Sequence, residues 1–371
     1  MIKKISVRNF KCFEDFSLPL KRVNLLSGIN GMGKSTVIQS LLLLRQSARD
    51  GEMKGLRLND EYVRLGSGSD ILYEKAETEE IELGYEDDFG AFSWKFGYVS
   101  DSDILPLVEK RESVQELEIC RNNFVYLSAF RIEPQELYRI RNEEEINNRE
   151  FGNNGEYALQ YLNMHGDDTV TNKYVITDQT SDDSLSSQVR GWMDRISPGV
   201  SPRITVNMSQ RNSEIRYEYI EGREKTGSYK SMNVGFGITY VLPLIIALVS
   251  AKEGDIILVE NPEAHIHPAG QSMLGELIAR VGAGGAQLIV ETHSDHILNG
   301  LRLAVKSKMI PREQTTLSFF YKDAKDGYRH KCLHPTILPD GRLDSWPKGF
   351  FDEFKIPSAK RRAENIHGRC Q

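Results

Sequence analysis

The residues best suited to chemistry fall in three short stretches: GINGMGKS at 28–35, DIILVENPEAHIHP at 255–268 and LIVETHSDHIL at 288–298. The first matches G-x-x-x-x-G-K-[ST] at every fixed position. Its glycines let backbone N–H groups turn inward around phosphate oxygens. Lys34 can then reach the β/γ oxygens of a nucleotide, and the Ser35 hydroxyl can ligate magnesium. The second stretch delivers Glu260 at the end of an apolar run, where a magnesium-coordinating acid belongs beside a phosphate loop. The third ends at Glu291, Thr292 and His293. A histidine near a γ-phosphate can donate a hydrogen bond to developing charge.

The other histidines read differently. His265 and His267 are two residues apart and flanked by Glu263, a spacing open to metal ligation, but no third or fourth ligand clusters with them. Packing or a loop hydrogen bond is the expectation for both. The residue directly after Glu260 is Asn261, an amide that cannot take a proton at neutral pH but can orient water.

Positioning these groups requires strands and helices in a definite order. IKKISVRNFKCFEDFSLPL alternates apolar and polar residues around a short turn, as a hairpin does. RVNLLSG is a buried strand leading into the phosphate loop, and KSTVIQSLLLLRQSA is the helix after it, whose dipole adds to the anion site. From Asn233 a glycine-rich segment enters an apolar helix (239–250), followed by strand DIILVE, a helix from near Pro268 and strand AQLIVET. This alternation predicts an α/β fold with a parallel or mixed sheet covered on its faces. Residues 74–230 differ, with acidic clusters, polar loops and short strand-like runs such as FVYLSAF, and read as a mixed α+β insertion. They carry no sustained heptads, which argues against a long coiled-coil arm. The expected organisation is an N-terminal half (1–73), the insertion (74–230), a C-terminal half (231–314) and a closing segment (315–371). In that segment, TLSFFYKD reads as a strand and YKDAKDG as a hairpin turn.

Composition limits the classes further. The chain has 371 residues, 39% hydrophobic and 27% charged, which suits a globular protein larger than a single small core. A net charge of -6 offers no general attraction to nucleic acid. The longest apolar run, 241–249, is about half of a bilayer span, so no membrane is expected. The N-terminus has no apolar signal region, and Cys12, Cys120, Cys332 and Cys370 form no CxxC pair. Free thiols in a reducing cytoplasm are the expectation.

Together, ISVRNFKCF, GINGMGKST, NVGFG, ILVENPEAHIHPAGQ and ETHSDHIL resemble ABC-type ATPase heads of the SMC/RecF/OLD-like class, in the right order. GRLDSWPKGFFD resembles the small uncharacterised C-terminal domain of one bacterial branch of OLD-like AAA-family ATPases. The resemblance implies an ABC-type P-loop ATPase head that uses ATP and Mg2+. Gly28, Asn30, Gly31, Gly33, Lys34, Ser35 and Thr36 would form the phosphate loop. Glu260 would be the Walker B acid and, with Ser35, hold the metal; His293 would be the switch histidine. Asn233, Gly235 and Gly237 resemble the signature segment, which in such heads meets the γ-phosphate of the opposite protomer. That implies a homodimer with ATP sandwiched at its interface. Taken alone, NVGFG reads as a helix-entry turn.

Arg8 and Lys11 sit where family members touch base or ribose, and Gln39, Gln46 and Gln135 are candidate metal- or water-contacting glutamines. Such heads usually place a glutamate where Asn261 stands. Either Glu263, Glu291 or His293 assists, or turnover is slow and ATP acts mainly as a dimer clamp.

The function this implies is a nucleotide-switched ATPase in DNA maintenance or anti-phage defence, driving a separate effector. OLD-like enzymes often carry a fused nuclease, and the 78 residues after His293 are few for one, so the effector is expected to be a separate protein, with a nuclease as a candidate. The alternatives are an ATP-dependent scaffold that does not hydrolyse, favoured by Asn261, and a RecF-type repair ATPase. DNA contact rests on KIPSAKRRAENIHGR, with Lys360, Arg361 and Arg362; such a run is more often a solvated face.

Overall fold

The computed structural model describes residues 1–48, 52–109, 117–121, 123–147, 149–221 and 224–347. The basic run near the C-terminus, Cys370 and most of WPKGFFD lie outside the described residues.

Two of the sheets among the described residues position the site. The first is antiparallel, built from β1 (Lys4–Phe10), β2 (Phe13–Pro19), β4 (Glu80–Glu86) and β5 (Ala91–Gly97) in the order β2-β1-β4-β5. The second has six strands: β3 (Val23–Gly28), β6 (Phe124–Leu127), β9 (Ile256–Glu260), β10 (Gln287–Glu291), β11 (Thr315–Asp323) and β12 (Arg329–Leu333). Its order is β12-β11-β3-β10-β9-β6, parallel throughout except for the antiparallel β11–β12 hairpin. A further sheet is built on the antiparallel hairpin of β7 (Val200–Asn207) with β8 (Asn212–Glu221).

The central strands are apolar on both faces because both faces are covered. Val23, Leu25, Ile257, Val259, Leu288 and Val290 belong to one core, shared with α2 (Ala158–His165), α3 (Leu185–Ile196), α4 (Phe236–Val249), α5 (Pro268–Ala283) and α6 (Asp295–Lys306). Leu26, Ile256, Leu258 and Ile289 join the other core, with α1 (Lys34–Ser47) and the antiparallel sheet. This is the alternation a pleated strand imposes, and it reads in sequence as an unbroken apolar run. Helix starts follow local chemistry. Ser294 caps α6 by accepting from the N–H groups of His296 and Ile297, each at 3.1 Å. Pro268 opens α5, where its missing N–H costs nothing.

The mixed α/β fold with flanking helices is the one anticipated. Within residues 74–230, expected as one insertion, β4, β5 and β6 are strands of the two sheets, α3 packs against α4 and α5, and the β7–β8 hairpin packs on α2 and α3. The acid-rich composition hid these strands, since β4 and β5 each cover one face only and carry charge on the other. No described helix is long and apolar enough to cross a membrane. Cys12, Cys120 and Cys332 are free.

One buried ion pair joins this stretch to residues 231–314. Arg149 and Asp255 are 6% and 5% exposed, and the guanidinium bonds the Asp255 carboxylate while donating to the Ala247 carbonyl at 3.0 Å. It ties the middle segment to the end of α4 and the start of β9. Removing one partner strands the other charge out of water. Arg149→Leu should therefore destabilise the fold by about 3–5 kcal/mol, read as a lower urea midpoint with unchanged slope.

Candidate functional site

The phosphate loop joins β3 to α1. Gly28, Gly31 and Gly33 all have positive φ, at 138°, 75° and 101°, a region that favours glycine. Two of them are also crowded. A Cβ on Gly28 would lie 2.4 Å from the Phe320 carbonyl oxygen, and one on Gly33 would lie 2.5 Å from the Phe13 ring. Gly33 also occupies the N-cap of α1 and makes no side-chain cap bond, so the first N–H groups of that helix are left for an anion. Lys34 curls back over the loop, donating to the carbonyls of Gly28 (2.9 Å) and Ile29 (3.1 Å). Its pKa is lowered, chiefly by burial. Asn30 stands exposed on the loop, and Thr36 is buried, its hydroxyl accepting from the Cys12 thiol at 3.7 Å.

The acids arrive from two adjacent parallel strands. In the β9–β10 register Glu260 lies directly beside Glu291. The residues before them, Val259 and Val290, face the α4–α6 core, so strand alternation turns both carboxyl groups to the α1 side. There the Ser35 hydroxyl donates to both Glu291 oxygens, at 2.9 and 3.1 Å, and the Lys34 ammonium is 3.8 Å away. Burial, then the neighbouring Glu260 charge, pushes Glu291 up to about 7. Glu260 is raised too, again mainly by burial, while the Tyr126 hydroxyl donates to it at 3.0 Å.

Sequence reasoning named Glu291 only as one of three candidates to assist. It now stands closest to the phosphate loop, because β10 lies between β3 and β9. Ser35, Glu260 and Glu291 form an all-oxygen donor set, the kind a hard divalent cation such as Mg2+ takes. The Ser35 hydroxyl already meets the Glu291 carboxylate, and Glu260 stands beside Glu291 in the strand register.

Glu263 has another task. Its carboxylate accepts from the Thr292 hydroxyl (2.8 Å) and the His293 N–H (2.6 Å), clamping the turn that carries His293. His293 stands exposed at the rim, and the packing around its ring, then the Lys34 charge, lowers its pKa. Asn261 adopts φ 45°, which asparagine tolerates better than most residues. Its N–H donates to the Glu291 carbonyl at 2.9 Å, and its side-chain oxygen is buried without a hydrogen-bond partner. The residue type at this position thus answers a backbone demand that spacing alone did not reveal.

Arg131 and Tyr126 also went unread in the sequence. Arg131 is 4% exposed and donates to the carbonyls of Glu260 (2.7 Å) and Asn261 (3.2 Å), with its guanidinium 5.0 Å from the Tyr240 ring centre. Asn233 and Gly235 are exposed at the start of α4, and Gly237 sits in its first turn, where a Cβ would overlap the His265 carbonyl at 2.1 Å. Gly237 is thus packed against His265. His265 packs against Phe236 and Tyr240, and His267 caps α5. Packing and a loop hydrogen bond account for both.

Lys11 donates to Gln39 at 2.8 Å, whereas Arg8 is exposed. Gln46 is buried, bonding the Arg57 carbonyl and the Val63 N–H, and Gln135 is exposed beside Tyr138. The last two therefore lie outside the cluster.

Residues 23–299 match the family described as "AAA domain, putative AbiEii toxin, Type IV TA system", and residues 310–359 match a protein family of unknown function, DUF3696. Endonuclease GajA of Bacillus cereus (strain HuB5-5) is 28% identical over 152 residues, 34% of this chain and 20% of that protein. OLD nuclease of Thermus scotoductus (strain ATCC 700910 / SA-01) is 41% identical over 44 residues, 12% of this chain and 8% of that one. The chain thus matches a fifth or less of the length of these relatives. An SMC head solved with the C-winged helix domain of ScpA shares the fold, with a TM-score of 0.53 at 16% identity, covering 91% of this chain and 98% of that one.

The raised Glu291 carboxyl makes a prediction for the nucleotide-free protein. A folded-state pKa of about 7, against an ordinary 4.5, means that the fold holds this proton more tightly than the unfolded chain does. Stability from this group is full below about pH 4.5, falls as pH rises to about 7 and is flat above. Glu291→Gln should remove that decline, on the order of 3 kcal/mol. Denaturant midpoints measured from pH 5 to 8 in chelator check it.

Proposed function

As a member of this AAA-domain family, the chain is, we propose, an ATP- and Mg2+-binding ATPase that turns over slowly and dimerises head-to-head around the nucleotide. The observation that carries this reading is the convergence of Ser35 with Glu291, paired in register with Glu260, on the open N-terminus of α1. Lys34 and the loop N–H groups would hold the β- and γ-phosphates. Ser35 and Glu260 would hold magnesium, which supplies charge neutralisation between phosphate oxygens. His293, with a lowered pKa, would offer a neutral imidazole to the γ-phosphate from a turn fixed by Glu263.

Slow turnover is supported by the acid shell. Asn261 cannot accept a proton, and both Glu263 oxygens are engaged within the chain. The head-to-head dimer is supported by the exposure of Asn233 and Gly235 at the start of α4, where they are free to complete a partner's site. Similarity to proteins named as nucleases supports a role in DNA maintenance or anti-phage defence through a separate effector, a nuclease being the first candidate, in the cytoplasm. DNA is a proposed contact only through the basic C-terminal run. A second reading, a scaffold clamped by unhydrolysed ATP, is favoured by Asn261 alone.

Lys34→Ala should abolish ATP binding, measured by calorimetry. Wild-type phosphate release should be slow, below the roughly 1 s⁻¹ floor of ordinary enzymes, and Glu260→Gln should reduce it further. No phosphate release above the Glu260→Gln background selects the scaffold. ATP should convert Glu260→Gln from monomer to dimer in light scattering, and Gly235→Asp should prevent that conversion while leaving ATP affinity within about twofold. A monomer that persists with saturating ATP removes the dimer.

A further inference from the structure

The C-terminal segment, matched to a family of unknown function, reaches the phosphate loop. β11 runs beside β3 with Phe320 opposite Gly28, close enough that the Gly28 position has no room for a side chain. The hairpin then turns back to the β1–β2 turn. His330 meets Phe13 edge-on at 5.9 Å, and Arg329 pairs with Glu14 at 3.3 Å. Phe13 in turn covers Gly33, and Cys12 bonds Thr36. Between the β1–β2 turn and the hairpin lies an open cleft of about 1400 Å³, with Lys11 and Tyr73 on one wall and Tyr328 on the other. Tyr328 sits at the hairpin tip with φ 60° and is 67% exposed.

Sheet order orients any nucleotide on this loop. The acids Glu260 and Glu291 are on β9 and β10, to one side of β3; β11 and β12 are on the other. A triphosphate whose γ end points to the acids must send its nucleoside the opposite way, past Thr36 and Cys12. That path opens into the cleft. Its lining mixes acids and bases, with Glu14, Asp70 and Asp326 against Lys11, Lys322 and Arg329, which suits a neutral nucleoside better than further phosphates. The cleft is open to solvent and wider than an ordinary ligand pocket, so it has room for a nucleoside.

We infer that the C-terminal hairpin forms the second wall of the nucleoside site, with Tyr328 as the aromatic contact to the base of the bound nucleotide. The inference rests on the nucleotide-binding reading of the phosphate loop and adds a task for the C-terminal segment. It places the base against residues outside the 23–299 match.

Calorimetric titration of the full chain with MgATP and with magnesium tripolyphosphate, which lacks the nucleoside, tests it. Tyr328→Ala should weaken ATP about tenfold, the scale of losing one base–aromatic stack, and leave tripolyphosphate unchanged. Tyr328→Phe should restore ATP affinity. Unchanged ATP affinity in Tyr328→Ala, or equal weakening of both ligands, overturns the inference while the phosphate-loop reading stands. Failure of the wild type to bind either ligand, or binding unaffected by Lys34→Ala, overturns both.

Discussion

Two carboxyl groups held side by side on neighbouring parallel strands set the terms for the rest of this site. Like charges a strand spacing apart, in a place where both are screened from water, resist joint ionisation. The fold opposes that repulsion with Lys34, Ser35 and Tyr126, each within hydrogen-bond or ion-pair reach of one acid. A divalent cation would oppose it better. The same geometry explains why the loop, helix and strands are so closely packed: the acids, hydroxyl and ammonium must converge within a few ångströms. Strand alternation decides which face they share.

Much of this was legible in the sequence because it is local. The phosphate loop is eight consecutive residues whose glycines and Lys34 have one main physical use. The strands IILVE and QLIVE declare themselves as doubly covered by unbroken apolar runs, and their acids follow at the ends. The hairpin turn in YKDAKDG was equally plain, since its residues suit a tight reversal and form the link between β11 and β12.

What escaped was non-local. Glu291 could not be ranked above Glu263 or His293 without knowing that β10 lies between β3 and β9. Glu263 looked available until Thr292 and the His293 backbone claimed its oxygens. Arg131 is a single arginine between Phe130 and Ile132, and only the fold places it under the end of β9, more than a hundred residues away. The strands β4 and β5 were hidden among acids, because a sheet with one solvated face needs apolar residues at only every second position.

Arg131 also fixes neighbouring elements to one another. A guanidinium keeps its charge at any ordinary pH, so its two bonds to the Glu260 and Asn261 carbonyls and its stacking on Tyr240 cannot be released by a proton. Tyr240 also reaches back to the Ala129 carbonyl. The strand end that carries the acid, the segment after β6 and the first turns of α4 are therefore held together. The backbone that carries Glu260 is thus fixed, at every ordinary pH, to the helix that begins beside the exposed Asn233 and Gly235.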